Sequence, residues 1–297
     1  MNLTDHLEKL KYFYEVAKVG SLKKASKTVF ISQPSLTKSI KILESVVQKP
    51  LFIRLPRGMK LTKEGEILYK YCQKLFSTII DIESKLTNPE DPFAGSLRIG
   101  TYDSIGIYFW PEFLRNFLCK YNKLDIHLTT GRSSEMQAKL DAFELDFILT
   151  IDPIQTSNIN VKVIKKDTFK LYESSKKNKV YSHIDSAPII LMPTAFTGVN
   201  TMKEFLLKNK VKNRKLYTTS SLESVKELTI NGLGIGLLPE MVAKRSITQK
   251  KIKELKSTSI LPLNGIGEHS IGIAYHSFKK ESLIIKTLIT EISKFKF

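Results

Sequence analysis

A chain of 297 residues exceeds one ordinary domain, and a hydrophobic content of 42% suffices for packed cores, which excludes a disordered or low-complexity polymer. The formal charge of +18 at pH 7 favours a polyanionic partner, nucleic acid ahead of a membrane surface. Its distribution counts for more than its total, because the Lys-rich, Ile-, Asn- and Phe-rich composition also fits A·T-rich codon usage, and the first 65 residues hold thirteen Lys or Arg against five Asp or Glu.

Asp5, Glu8, Lys9, Lys11 and Glu15 interrupt the N-terminus before an apolar signal segment can form. No apolar run approaches the roughly 18–20 residues needed to span a bilayer. Cys72 and Cys119 make no disulfide framework and show no metal-ligand spacing, so both are expected as reduced, packed thiols of a cytoplasmic protein that needs no metal or cofactor.

Leu7, Leu10, Phe13, Val16 and Ala17 predict a first helix that Gly20 ends, and Ser21 caps a second over 22–29. Ser32 caps a third, with Pro34 in its first turn and Leu36, Ile40, Leu43 and Val47 on its buried face. The opposite face offers Ser35, Thr37, Lys38 and Lys41, with Gln33 at the tip. A short helix, a tight turn and a helix with a polar, cationic outer face suit the major groove, where Gln and Ser reach base edges and Lys neutralises phosphate. Residues 51–62 read as a hairpin whose Arg54, Arg57 and Lys60 make a cationic wing.

The run Leu10-x-x-Phe13-x-x-Val16-Ala17-x-x-Gly20-Ser21-x-x-x-Ala25, then Ser32-Gln33-Pro34-Ser35, Ile40, Leu43-Glu44, Leu51-Phe52-x-Arg54 and Leu61-Thr62-x-x-Gly65 resembles the winged helix-turn-helix of LysR-type transcriptional regulators. Ser26, Val29 and Thr37 stand where that family usually has Ala, Leu and Ser, and Gln48 replaces a usual Gly. Helix face, wing and resemblance together give an expected DNA-contacting set of Ser21, Lys23, Ser32, Gln33, Pro34, Ser35, Thr37, Lys38, Lys41, Arg54 and Arg57.

Leu68, Tyr71, Leu75, Ile79, Ile82 and Leu86 repeat at spacings of three or four and predict a long helix with a dimer seam; packing on its own domain is the competing reading. From residue 96 strands alternate with helices: strands at 97–100, 125–129 and 145–150, helices at 105–120 and 134–143. The segments Gly95-x-Leu97-Arg98-Ile99-Gly100, Pro111-x-Phe113-Leu114-x-x-Phe117, Leu145-Asp146 and Gly232-x-Gly234-Ile235-Gly236-Leu237-Leu238-Pro239 resemble the same family's effector domain. A helix precedes the glycine run and a strand follows it, the reverse of a dinucleotide-binding fingerprint, so these glycines are expected to cap a helix and enter a strand.

The expected fold is α + α/β: a winged helix-turn-helix at 1–62, a linker or dimerisation helix at 63–88, a hinge at 89–95 and a two-lobed α/β effector-binding domain at 96–297. The resemblance implies lobes of about 96–164 with 269–297 and of about 165–268, with a ligand cleft between them, as in periplasmic binding proteins. Hydroxyl-rich loops after strands give Thr101, Asp103, Ser104, Gly131, Ser133, Ser134, Thr194, Phe196 and Ser220 as effector-binding candidates, with simple helix capping the alternative for each taken singly. The expected partners are double-stranded promoter DNA, a small-molecule effector, further copies of the chain in a homodimer or homotetramer, and RNA polymerase, with no membrane. The rival reading is a cytoplasmic small-molecule-binding or enzymatic α/β protein with an incidental basic helical module. Against an enzyme, no G-x-S-x-G, H-E-x-x-H or P-loop occurs, and each of the five scattered histidines is expected on the surface or satisfied in a core.

Overall fold

The computed structural model of the protein describes residues 2–56, 58–87, 93–183, 186–193, 215–255 and 268–295. Packing divides the chain into an N-terminal unit, residues 1–96 with 141–144, and a C-terminal unit, residues 97–140 with 145–297. Among the described residues no helix is long and apolar enough to cross a membrane.

The N-terminal unit runs α1 (Leu7–Val19), α2 (Leu22–Thr28), α3 (Gln33–Val47), β1 (Phe52–Leu55), β2 (Gly58–Leu61) and α4 (Lys63–Thr87). Leu10, Phe13 and Val16 of α1, Ala25 of α2, Leu36, Ile40 and Leu43 of α3, and Leu51 with Phe52 form one buried cluster, the inward stripes of three amphipathic helices. Leu7, expected on the first stripe, opens α1 ahead of its first buried position and is exposed. Gly20 ends α1 at φ +65°. Its carbonyl accepts from Met59 N at 2.9 Å, and a Cβ on Gly58 would lie 2.6 Å from that same oxygen, so the wing can close on α1 only with glycine at 58. On the other side, Glu44 Oε1 of α3 accepts from Leu51 N at 2.8 Å and Phe52 N at 3.3 Å, anchoring β1 to the third helix.

α4 departs from a single exposed seam. Leu68, Cys72 and Leu75 pack on the helical core, with Tyr69 and Phe76 against Tyr14 at ring distances of 5.5 and 5.2 Å. Tyr71, 68% exposed, and Ile79, Ile82 and Leu86 remain open to solvent. Leu68 and Leu75 of the stripe thus serve their own module, and the other four positions do not. Burial pushes the Cys72 thiol up to about 12, leaving it inert. Cys119, expected to be packed, is exposed, because it lies across the helix from the buried Phe113 and Phe117.

The C-terminal unit is built on β3 (Gly95–Tyr102), α5 (Asp103–Tyr108), α6 (Trp110–Lys120), β4 (Leu124–Gly131), α7 (Ser133–Asp141), β5 (Phe147–Ile151), β6 (Ile159–Ser174), β7 (Ile189–Leu191), β8 (Leu216–Thr218), a helix Leu222–Ile230, β9 (Ile235–Pro239), a helix Glu240–Thr248, β10 (Ile252–Glu254), β11 (Glu268–His276) and a helix Leu283–Lys294. The continuous helix expected over 105–120 is broken at Phe109, because Pro111 has no N–H for the Ile107 carbonyl and its ring would clash there. Gly232, at φ +77°, closes the turn after Leu222–Ile230 and leads into β9, as expected of the glycine run.

The described strands lie in the order β4-β3-β5-β11-β6-β9-β7-β8, with β10 also on β6. β3 runs parallel to β5, and β7 runs parallel to β8 and β9. β6 joins the two parallel groups: Ile159 to Thr168 pair with antiparallel β11, and Phe169 to Tyr172 with β9. Among the described residues a small cluster of Met136, Leu140, Leu145, Ile148, Ile159 and Ala274 and two larger hydrophobic cores result. One holds Ile99, Trp110, Phe113, Phe147, Ile273 and Leu288, the other Leu171, Ile190, Val225, Ile235 and Leu237. The expected lobe border at 164/165 falls inside β6, and that at 268/269 at the start of β11. Of the expected hinge, 89–92 lie outside the described residues, and Gly95 already belongs to β3.

Asp146 ties the first of these groups together. Its carboxylate accepts from the Arg98 backbone N at 2.9 Å, Arg98 Nε at 3.1 Å, Arg98 Nη2 at 2.8 Å and Lys279 Nζ at 2.7 Å, with Asp146 and Lys279 both buried. Burial opposes the charge, but the Arg98 hydrogen bonds and the Lys279 ammonium outweigh it and hold the carboxyl below its usual range.

Two stability outcomes follow from this architecture. Gln48 caps α3 at φ +56°, the left-handed region, and donates its N–H to Glu44 O, so Gln48→Gly should stabilise the fold by about 0.5–1 kcal/mol, read as a rise in Tm. Asp146→Ala should cost about 3–5 kcal/mol in denaturant titration, because it strips the carboxylate from a buried Lys279. Since the folded-state pKa is depressed, the wild-type contribution persists above the ordinary carboxylate pKa and fades only as pH falls below it; the gap between wild type and variant should therefore narrow in acid and stay constant near neutrality.

Candidate functional site

The outer face of α3 is set by its cap and its buried stripe. Ser32 accepts from Ser35 N at 3.2 Å, its Oγ lies 2.8 Å from Ser35 Oγ, and Thr37 Oγ1 donates to Gln33 O at 2.9 Å. These three hydroxyls are therefore partly engaged in shaping the helix. Gln33, Pro34, Thr37, Lys38 and Lys41 line an open groove of about 570 Å³, and no hydrogen bond or ion pair to a described residue engages the side chains of Gln33, Lys38 or Lys41. Ser21, half-buried, caps α2 by accepting from Lys24 N at 3.4 Å, while Lys23 is exposed beside it. Arg54 is exposed on β1, opposite Met59; Arg57 lies outside the described residues.

In the C-terminal unit, a cavity of about 340 Å³ sits where the crossover strands pass, within the range of small-molecule sites. Ser104, Ser133 and Ser134 contribute hydroxyls, Arg132 a cation, and Tyr102, Phe169, Met192 and Leu222 apolar walls. A smaller neighbouring space of about 50 Å³ adds Asp103 and Ser220 to Ser104 and Arg132. Other candidates fall elsewhere. Thr101 is fully buried and donates to Leu149 O at 2.8 Å, so it braces the sheet and lines neither space. Gly131 also lines neither; it lets the chain pass Glu135 and Met136, which a Cβ would meet at 2.8 and 3.0 Å. Thr194 and Phe196 lie outside the described residues. A larger groove of about 790 Å³, rimmed by Ile107, Tyr108, Lys244 and Arg245, receives none of the expected residues.

Gln137, Asp152 and His269 also line the cavity and escaped the sequence reading. Gln137 follows the Ser133–Ser134 turn on α7, a position that helical spacing could have found. His269 carried no such signal, and it departs from the expectation of a surface or satisfied histidine. It is 7% exposed with both ring nitrogens lacking hydrogen-bond partners, while His276 Nε2 meets Leu140 O at 2.6 Å. The His269 ring stands edge-on to Phe169 at 5.1 Å, and its Nε2 is 3.8 Å from Asp167 Oδ2, too far for a hydrogen bond. Burial pushes the imidazole below its usual range despite Asp167 and Asp152 nearby, leaving a neutral ring with hydrogen-bonding capacity facing the cavity. Away from the cavity lining, Lys226 Nζ donates to Tyr108 OH at 2.7 Å, joining α5 to the helix Leu222–Ile230. Among the described residues no group of three or more His, Cys, Asp or Glu is placed to hold a metal ion.

Residues 7–66 match the family "Bacterial regulatory helix-turn-helix protein, lysR family", and residues 90–295 match "LysR substrate binding domain". The HTH-type transcriptional regulator YofA of Bacillus velezensis is 25% identical over 243 residues, covering 82% of this chain and 84% of its own. Two solved structures share the fold. The regulator LysG of Corynebacterium glutamicum, solved with bound effector Arg, gives a TM-score of 0.66 at 17% identity over 99% of this chain and 97% of that one. Full-length CbnR, solved in complex with its target DNA, gives 0.62 at 18% identity over 96% and 98%. The chain belongs to the LysR family of bacterial transcriptional regulators.

Proposed function

We propose that the protein binds a partly two-fold promoter site as a homo-oligomer, reading base edges with the outer face of α3, and that a polar small molecule in the 340 Å³ cavity changes that binding. The observation that carries the reading is the groove on α3, where Gln33, Lys38 and Lys41 stand together without partners among the described residues. A helix presents such a row to the major groove with Gln toward bases and Lys toward phosphates. The DNA complex of CbnR, which shares this fold, supports the same assignment. Arg54 on the wing adds a backbone contact.

The exposed positions of the α4 stripe, Tyr71, Ile79, Ile82 and Leu86, support pairing of two copies, which a two-fold DNA site requires. A homotetramer and contact with RNA polymerase are further parts of this proposal. The cavity borders β6 at Phe169 and β11 at His269, and a ligand bridging serines on one side to Met192 and Leu222 on the other would bias the closure of the two cores. Bound LysG effector Arg is a precedent for a small polar effector in this fold. Closure that alters the spacing of paired units changes DNA affinity by linkage.

Salt-titrated binding to a duplex selected from a random library tests the DNA face. Lys38→Ala and Arg54→Ala should each weaken binding to all duplexes and lower the salt slope by about 1, whereas Gln33→Ala should relax preference at one base pair by about 1–3 kcal/mol. Wild-type affinity in both Arg54→Ala and Gln33→Ala would remove α3 and the wing from the interface. For the cavity, a metabolite thermal-shift screen should find a stabilising ligand whose effect Ser134→Trp abolishes while leaving DNA binding to the effector-free protein intact. A shift that survives that filling of the cavity would place the effector elsewhere.

A further inference from the structure

Phe30 contributes nothing to the packing of its own unit. It is 93% exposed in the turn between α2 and α3, while its neighbours Val29 and Ile31 pack on the helical core. The turn holds it there through Val29 N donating to Ala25 O at 3.0 Å and Ile31 N to Ser26 O at 3.2 Å. Its backbone sits at φ +56°, a region that a side chain with a Cβ seldom adopts and that Asn tolerates best. Exposure and backbone conformation are both unfavourable for this ring in the isolated chain, and an occupant that covered it would recover the apolar burial.

The surroundings indicate what that occupant is. Phe30 lies two residues before the Ser32 cap and three before Gln33, at the end of α3 that leads into the groove lined by Gln33, Lys38 and Lys41. Lys23, Lys24 and Lys27 of α2 are exposed on the approach to the turn, within a module of thirteen basic and five acidic residues. A ring embedded in this cationic field faces a polyanion, and the apolar part of a duplex backbone is the deoxyribose. We infer that Phe30 packs its ring on a deoxyribose of the strand bordering the groove that α3 enters, flanked by phosphates that the neighbouring lysines neutralise. The inference rests on α3 being the DNA-entering helix. Sugars recur at every nucleotide, so this contact sets how deep and at what angle α3 seats, and carries no sequence preference of its own.

Fluorescence anisotropy with the full-length protein, on a duplex selected by the wild type and on an unrelated one across a salt series, tests it. Phe30→Asn should keep or raise Tm, because Asn suits the left-handed backbone, yet weaken binding to both duplexes about tenfold, about 1.4 kcal/mol. The salt slope should not change, since no charge is removed, in contrast to Lys38→Ala. Phe30→Tyr, which retains the ring, should bind within about twofold of the wild type. Undiminished affinity in Phe30→Asn overturns the inference, as does a loss confined to the selected duplex, which would mark a base contact. A change in oligomer size by sedimentation that accounts for the lost affinity also overturns it and assigns the ring to a second copy. If the wild type binds no duplex even at low salt, the DNA-reading assignment of α3 itself fails; normal wild-type binding with an indifferent Phe30→Asn removes only the sugar contact.

Discussion

Leu36, Ile40 and Leu43 follow one another on α3 at spacings of four and three and are buried in one cluster with Phe13, Val16 and Phe52. With that side committed to the core, α3 has no rotational freedom, and Gln33, Lys38 and Lys41 are held outward on the same surface. Rotating the helix to hide them would expose three large aliphatic side chains, each contributing roughly 1.5–3 kcal/mol by burial, and would bury two ammonium groups without partners. The wing depends on the same constraint. Glu44, one residue past Leu43, holds the start of β1 through two backbone amides, and Gly58 closes the hairpin onto the end of α1.

The C-terminal unit solves a different problem with a comparable economy of parts. β6 pairs with β11 along its first half and with β9 along its second, so one unbroken strand serves two cores. The cavity lies beside that passage and collects chain ends from both sides: Ser133 and Ser134 opening α7, Leu222 opening its helix, Met192 after β7. His269 on β11 is held in this gap, desolvated and neutral, between Phe169 and the buried Asp167. A polar ring left without a hydrogen-bond partner inside a protein is costly, and a ligand that supplied the partner would gain from relieving it.

Much of the N-terminal unit was legible because its determinants are local. Helical periodicity picked out Leu10, Phe13, Val16, Leu36, Ile40 and Leu43, the caps Ser21 and Ser32 marked where helices begin, and Gly20 marked where one ends. The misreadings arose where a residue's partner lies far away in sequence. Leu68 and Leu75 carry the same spacing as Ile79 and Ile82, yet only the former meet the helical core. Thr101 looks like the other loop hydroxyls, but its acceptor is the carbonyl of Leu149 on the neighbouring strand. The break at Phe109 was written in Pro111, whose missing N–H is a local fact that the apolar spacing of the helix overrode.

By itself, then, the amino-acid order determined the helices and wing of the N-terminal unit, which faces of them are apolar, and which family motif they spell, because each of these follows from spacing within one turn or one strand. Tertiary structure alone decided that Asp146 is clasped by Arg98 and Lys279, that Cys72 is sealed while Cys119 is open, and that His269 looks into a cavity. Those outcomes turn on desolvation and on pairing across more than a hundred residues, or across strands with no fixed spacing, and no periodicity along the chain records them.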